Sequence, residues 1–210
     1  MALPVLIMGR SGSGKSASLR AVTEDVFVIN VNKKSLPFKN NDHLKVFNCD
    51  EYLKIKDSLK KAYEKNIKTA VIDDAGYLMT SKFMAGHRAC KGNSQFDLYN
   101  EIGDNFYNLI RFIADELPND MIVFLTMHED KNDFGESKPK TIGKLLDDKV
   151  CIEGMFTIVL HSMKLDGKYV FATNTDGLDV TKSPIGMFDD EYIENDIQLV
   201  INSIRDYYKA

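Results

Sequence analysis

The chain has 210 residues, a net charge of −4, 44% hydrophobic residues and 28% charged residues, ordinary proportions for a soluble globular protein. That length suits one domain spanning 1–210, and no apolar run approaches the roughly 18 residues of a membrane span, so no membrane role is expected. The acidic balance excludes the overall basicity of a protein that coats nucleic acid, although a local patch or an oligomer's pore can still supply positive charge.

Residues 3–8 (Leu-Pro-Val-Leu-Ile-Met) form an apolar strand with no basic segment before it, which reads as a buried strand and not a leader. A glycine-rich loop follows, and then a helix expected over 15–24. Residues 26–31 read as a second strand, 45–49 as a short one, and 50–65 as a helix, because Tyr52, Leu53, Ile55, Leu59 and Ala62 recur at helical spacing. Residues 69–73 form a buried strand ending in two acids. Polar residues 81–95 read as a loop or ragged helix, and 96–117 as a long amphipathic helix stopped by Pro118. Residues 121–127 are a further apolar strand, 128–140 a loop, and 141–149 a short helix. Residues 155–163 and 168–173 make a hairpin across Asp166-Gly167. A loop over 174–187 and a helix over 189–208 close the chain. Continuous apolar strands alternating with helices predict an α/β fold, a three-layer P-loop NTPase with a mostly parallel central sheet and a late hairpin. Cys49, Cys90 and Cys151 form no CxxC pair and are expected to be reduced thiols of a cytoplasmic protein.

Gly9-Arg10-Ser11-Gly12-Ser13-Gly14-Lys15-Ser16 fits the pattern G-x-x-x-x-G-K-[ST] without mismatch, between an apolar strand and a predicted helix. Glycines let such a loop curl so that successive N–H groups face a phosphate, and the helix N-terminus adds partial positive charge. The candidate ATP-binding set is Gly9, Arg10, Ser11, Gly12, Ser13, Gly14, Lys15, Ser16 and Ala17. Lys15 is expected to bridge β- and γ-phosphate oxygens, with the Ser16 hydroxyl on Mg²⁺. Asp73, the first acid after the apolar run 70–72, is the second candidate Mg²⁺ residue. Asp74 is placed as general base toward an attacking water. Thr126 and His128, at the end of the strand over 121–127, are candidates to touch the γ-phosphate or that water.

A nucleotide kinase is one alternative. Kinases clamp phosphorylated substrates with several arginines, whereas this chain has 22 Lys and only 5 Arg, with none in residues 112–204. Asn32-Lys33-Lys34-Ser35 lacks the Asp of a guanine-reading Asn-Lys-x-Asp motif. No helical lid follows residue 150, which favours a RecA-like core over an AAA+ one. Gly9–Ser16, Val71-Ile72-Asp73-Asp74, Thr126-Met127-His128-Glu129, Lys140-Thr141-Ile142-Gly143-Lys144-Leu145-Leu146-Asp147 and Lys182-Ser183-Pro184 together resemble the small phage-encoded RecA-like ATP-binding proteins associated with recombination and single-strand annealing. The resemblance implies a homo-oligomeric ATPase with sites between subunits. It also implies a partner that is single-stranded DNA or a phage recombination or annealing protein. Lys182 is then the lysine that completes a neighbour's site, with Lys164 and Lys168 behind it. RecA-like enzymes often carry a catalytic Glu at the end of the strand after the phosphate loop; here Asn30-Val31-Asn32 stands there. Either Asp74 takes that role or the protein is a nucleotide switch with little turnover. Lys82, His87, Arg88 and Lys91 with Phe83, and Lys131, Lys138, Lys140 and Lys144 with Phe134, form two loops suited to a phosphate backbone and a stacked base.

Overall fold

The apolar runs become strands buried on both faces, which is why their sequences lack polar alternation. The computed structural model describes residues 1–39 and 42–208. Its strands are β1 (Leu3–Gly9), β2 (Val26–Asn30), β3 (Leu44–Asn48), β4 (Thr69–Asp73), β5 (Ile122–Lys131), β6 (Ser137–Pro139), β7 (Ile158–Leu165), β8 (Lys168–Ala172) and β9 (Tyr192–Glu194). They form one sheet in the order β3-β2-β4-β5-β1-β7-β8-β9, with β6 attached to β5. From β3 to β7 all neighbours are parallel; β7–β8, β8–β9 and β5–β6 are antiparallel. The strand β5 therefore lies between the phosphate-loop strand and the acidic strand.

The helices are α1 (Tyr52–Glu64), α2 (Tyr77–Gly86), α3 (Ser94–Glu116) and α4 (Ile197–Tyr208). Alternate residues of each strand feed opposite layers. On one face Leu6, Ile72 and Leu125 pack with Ile55 of α1, Leu78 of α2 and Phe106 of α3. On the other, Val5, Ile7, Val71 and Phe124 pack with Leu19 and with Val200 and Ile204 of α4. Among the described residues no helix is long and apolar enough to cross a membrane.

Several elements differ from expectation. The helix expected over 15–24 is a short 3-10 helix, Ser16–Ala21. The Ser18 hydroxyl donates back to the Lys15 carbonyl at 2.6 Å, and β-branched Val22 and Thr23 follow, so the sequence competes with its own helix. Residues 81–95 begin inside α2, whose Leu78 and Met79 are buried. Residues 128–140 are not a plain loop. The strand β5 runs on to Lys131 and folds back through β6, pairing Asp130 with Lys138. The Asn132 side-chain oxygen closes the turn by accepting from Phe134 and Glu136 N–H groups at 3.0 and 2.9 Å. The helix over 141–149 shrinks to a π-helical turn, Leu145–Lys149. Residues 189–208 split into β9 and α4, because the Asp196 side chain caps the Gln198 N–H at 2.8 Å and fixes the helix start there.

Candidate functional site

Parallel pairing brings the ends of β1, β4 and β5 to one edge of the sheet, where ligands of open α/β sheets bind. Gly9 of β1 is in register with His128 of β5, and Asn30 of β2 with Asp73 of β4. The glycine loop leaves β1 at that edge. A Cβ at Gly9 would run into the Ser162 carbonyl, so the loop can cross β7 only as glycine. Gly14 has φ +107, and a Cβ there would lie 3.0 Å from the Tyr169 ring and 3.1 Å from the Asn195 side chain. Ser162, whose hydroxyl donates to the Ser13 carbonyl at 3.0 Å and accepts from Asn195 at 3.2 Å, anchors the loop from beneath.

Lys15 is buried and donates to the Gly9 and Arg10 carbonyls at 2.7 and 2.8 Å, so its ammonium is curled into its own loop. Burial holds its pKa below the usual lysine value, against the pull of Asp74 and Asp73. The Ser16 hydroxyl lies 3.0 and 2.9 Å from the two Asp73 oxygens. Burial raises the Asp73 pKa despite the donors Thr126 and Ser16. A hydroxyl and a carboxylate converging on one point are the hard oxygen donors that Mg²⁺ takes. The two residues fit that ion.

Asp74 has φ +59, a left-handed conformation uncommon outside glycine. Its N–H donates to the Thr126 hydroxyl at 2.7 Å, and that hydroxyl donates to Asp73 at 2.8 Å. Thr126 is fully buried. Expected to touch the γ-phosphate or the attacking water, it instead has no exposed surface and bonds to both acids. Asp74 itself does line the cleft. Burial pushes its pKa up, but Lys34 and Asn32, each 2.8 Å from Oδ2, outweigh that and hold it below the usual value. His128 Nε2 lies 3.6 Å from Asp74 Oδ1. Burial, and then the Lys15 charge, lower the His128 pKa against the pull of Asp74.

These groups border a cleft of about 190 Å³ lined by Ser11, Gly12, Gly14, Lys15, Ser16, Ala17, Lys34, Pro37, Asp74, His128 and Tyr169. A second hollow of about 440 Å³ shares Ser11 and His128 with it and adds Arg10, Tyr77, Glu129 and Lys140. Volume alone points elsewhere: a hollow of about 740 Å³ lies beside Phe27, Phe47 and Lys61, and one of about 590 Å³ sits where β1 and β5 begin, beside Lys68, Asp120 and Arg205. Beside the cleft, Arg10 pairs with Glu129 at 3.2 Å. His161 of β7 is held between Glu129 at 2.6 Å and Asp179 at 2.7 Å.

Lys182 does not line the cleft of its own chain; it pairs by backbone with Val159, on the flank of β7. Of the two proposed DNA loops, the first is largely occupied. Phe83 stacks on His87 and Tyr99, and Lys82 pairs with Glu101. Phe134, in contrast, is 87% exposed at the tip of the β5–β6 hairpin. The sequence reading missed Asn32 and Lys34 as partners of Asp74, and Tyr169 and Pro37 as walls. Only the first two had a signal: they follow the strand end where a catalytic Glu was sought.

A search of the curated proteins found no match. A family model described as an AAA domain matches residues 1–185. After residue 150 the described residues add β7, β8, β9 and α4 beside β1, and no helical bundle. Glycine loop, paired acids and parallel sheet all lie within the matched span, and by that match the chain belongs to the AAA domain family.

Proposed function

We propose that the protein binds Mg·ATP in this cleft and hydrolyses it, as an oligomeric ATPase of phage origin working on DNA in recombination or replication. The observation that carries the nucleotide reading is the convergence of Lys15, the Ser16–Asp73 pair and the Asp74–His128 pair on one small cleft under a glycine loop. In it the loop N–H groups and Lys15 hold the phosphates. Lys15 gives up two carbonyl partners and gains phosphate oxygens of higher charge. Ser16 and Asp73 would hold Mg²⁺, which when bound neutralises developing charge on the phosphates. Asp74, with His128 beside it, orients a water toward the γ-phosphorus and accepts its proton, while the β–γ bridging P–O bond breaks. Lys182 then acts from a neighbouring subunit, and Phe134 with Lys131 and Lys138 meets single-stranded DNA.

A second reading has its own support. Lys34 and Asn32 already occupy Asp74, and the end of β2 carries no acid, which suits a switch that binds ATP and turns over slowly. The test is phosphate release from Mg·ATP, with and without single-stranded DNA, for the wild type and for Lys15→Ala. DNA-stimulated release that Lys15→Ala abolishes supports the ATPase. Tight ATP binding without release supports the switch. Release unchanged in Lys15→Ala sinks both.

A further inference from the structure

The cleft has a chemical polarity. Lys15, Asp74, His128 and the Ser16–Asp73 pair gather at the end that suits β- and γ-phosphates. Of the remaining lining, Gly14 and Tyr169 lie against each other and Ala17 is apolar, a surface that suits a nucleoside better than phosphates. The cleft holds about 190 Å³, below the roughly 300–1,000 Å³ of ordinary small-molecule sites. Phosphates alone would take up most of a space that size, which leaves a base to the border of the cleft, where Tyr169 is partly exposed.

Tyr169 stands at that mouth for a topological reason. The strand β7 runs parallel to β1, so the Asp166-Gly167 turn after it rises at the same edge as the glycine loop. Tyr169 is the second residue of β8 and shares a strand face with Phe171, which is buried in the core beside α4. Tyr169 itself is 41% exposed. Its ring edge is seated against Gly14, where any Cβ would come within 3.0 Å. Lys164, its cross-strand partner, places Nζ 5.6 Å from the ring centroid, a cation that occupies one face and polarises the ring.

We infer that Tyr169 is the platform on which the purine base of the bound triphosphate stacks, with the β7–β8 hairpin as the nucleoside end of the site. This rests on the nucleotide reading above and adds to it the residue that distinguishes a nucleotide from a bare polyphosphate. Stacking on an aromatic face is sequence-tolerant and strong enough to change affinity about tenfold when the ring is lost.

The test is calorimetric titration of the full chain with Mg·ATP and with magnesium tripolyphosphate, for the wild type, Tyr169→Ala, Tyr169→Leu and Tyr169→Phe. The platform predicts that Ala and Leu weaken ATP about tenfold and leave tripolyphosphate within about twofold, while Phe preserves both. The Leu variant keeps bulk in the strand and carries the test alone if the Ala variant does not fold. Unchanged ATP affinity in Ala and Leu, equal loss for both ligands, or a Phe variant as weak as Ala overturns the platform while leaving the phosphate site intact. A wild type that binds neither ligand overturns the nucleotide reading and the platform together.

Discussion

Asp74 shows how a single residue can be held at a cost for a purpose. Its left-handed backbone (φ +59) is of the kind that costs about 1–3 kcal/mol and clusters at functional sites. Asp tolerates it better than most residues, and the Thr126 hydroxyl secures it by accepting from its N–H while donating to Asp73. Removing that hydroxyl leaves a buried N–H unpaired and takes a donor from a buried carboxylate. Thr126→Val should therefore destabilise the fold by about 1–3 kcal/mol in denaturant titration and lower ATP turnover as well. A variant with full stability and full turnover would show that Thr126 is only filling space. Asp73→Asn keeps the shape but removes the charge opposite Ser16, so phosphate release should fall by about 10²-fold or more at any Mg²⁺ concentration. Release equal to the wild type in a Mg²⁺ titration would remove Asp73 from the site.

At the scale of elements, the glycine loop is tied to the late strands by charge. Glu129 at the end of β5 pairs with Arg10 of the loop and with His161 of β7, and His161 also holds Asp179 of the 174–187 segment. Burial disfavours the imidazolium, but the Asp179 hydrogen bond and the Glu129 charge outweigh it, and the His161 pKa is raised. A raised folded-state pKa means the contribution is complete below the ordinary 6.5 and is lost as pH climbs through the raised value. Asp179 is lowered from 3.8 to about 2, so its share is complete above 3.8 and fades as pH drops toward 2. Both shares describe one shared contact, strongest between those limits. Between about pH 6 and about pH 9 the wild-type melting temperature should fall by a few degrees more than that of His161→Gln. Parallel slopes for the two proteins would rule out the linkage. The β5–β6 hairpin makes a separate prediction. Phe134→Ala should weaken single-stranded DNA binding about fivefold without altering turnover in the absence of DNA. Equal DNA affinity for both proteins would remove the hairpin from that role.

For the whole molecule, the question is what one chain's cleft lacks. Lys182 is held by its backbone to Val159, outside the cleft of its own chain, and its proposed role in a neighbouring subunit's site has its own test. Lys182→Ala should bind ATP normally and hydrolyse it at least about tenfold more slowly. Mixing it with Lys15→Ala should restore activity, because in a mixed oligomer some sites pair an intact loop with an intact Lys182. Mixtures no more active than their components would place Lys182 outside the reaction.

The sequence by itself determined the glycine loop, the acidic strand end, the α/β class and most strands, because each depends on local signals: fixed spacing, unbroken apolar runs, Pro118 after α3. It could not reveal the β5–β6 hairpin, whose paired residues 129–131 and 137–139 are nearly all polar or Pro although Ser137 and Pro139 are buried. Nor could it show that residues 189–208 break into β9 and α4, since that split follows from pairing with β8 and a side-chain cap. Asn32, Lys34 and Asp74 meet only because β2 and β4 pair in parallel register, with Asn30 opposite Asp73. Tyr169 reaches Gly14 across more than 150 residues of chain, because β7 pairs with β1 and the following hairpin turns back at the same edge. Local chemistry is written in neighbouring residues; the identity of a site's walls is decided by register, which exists only once the sheet has formed.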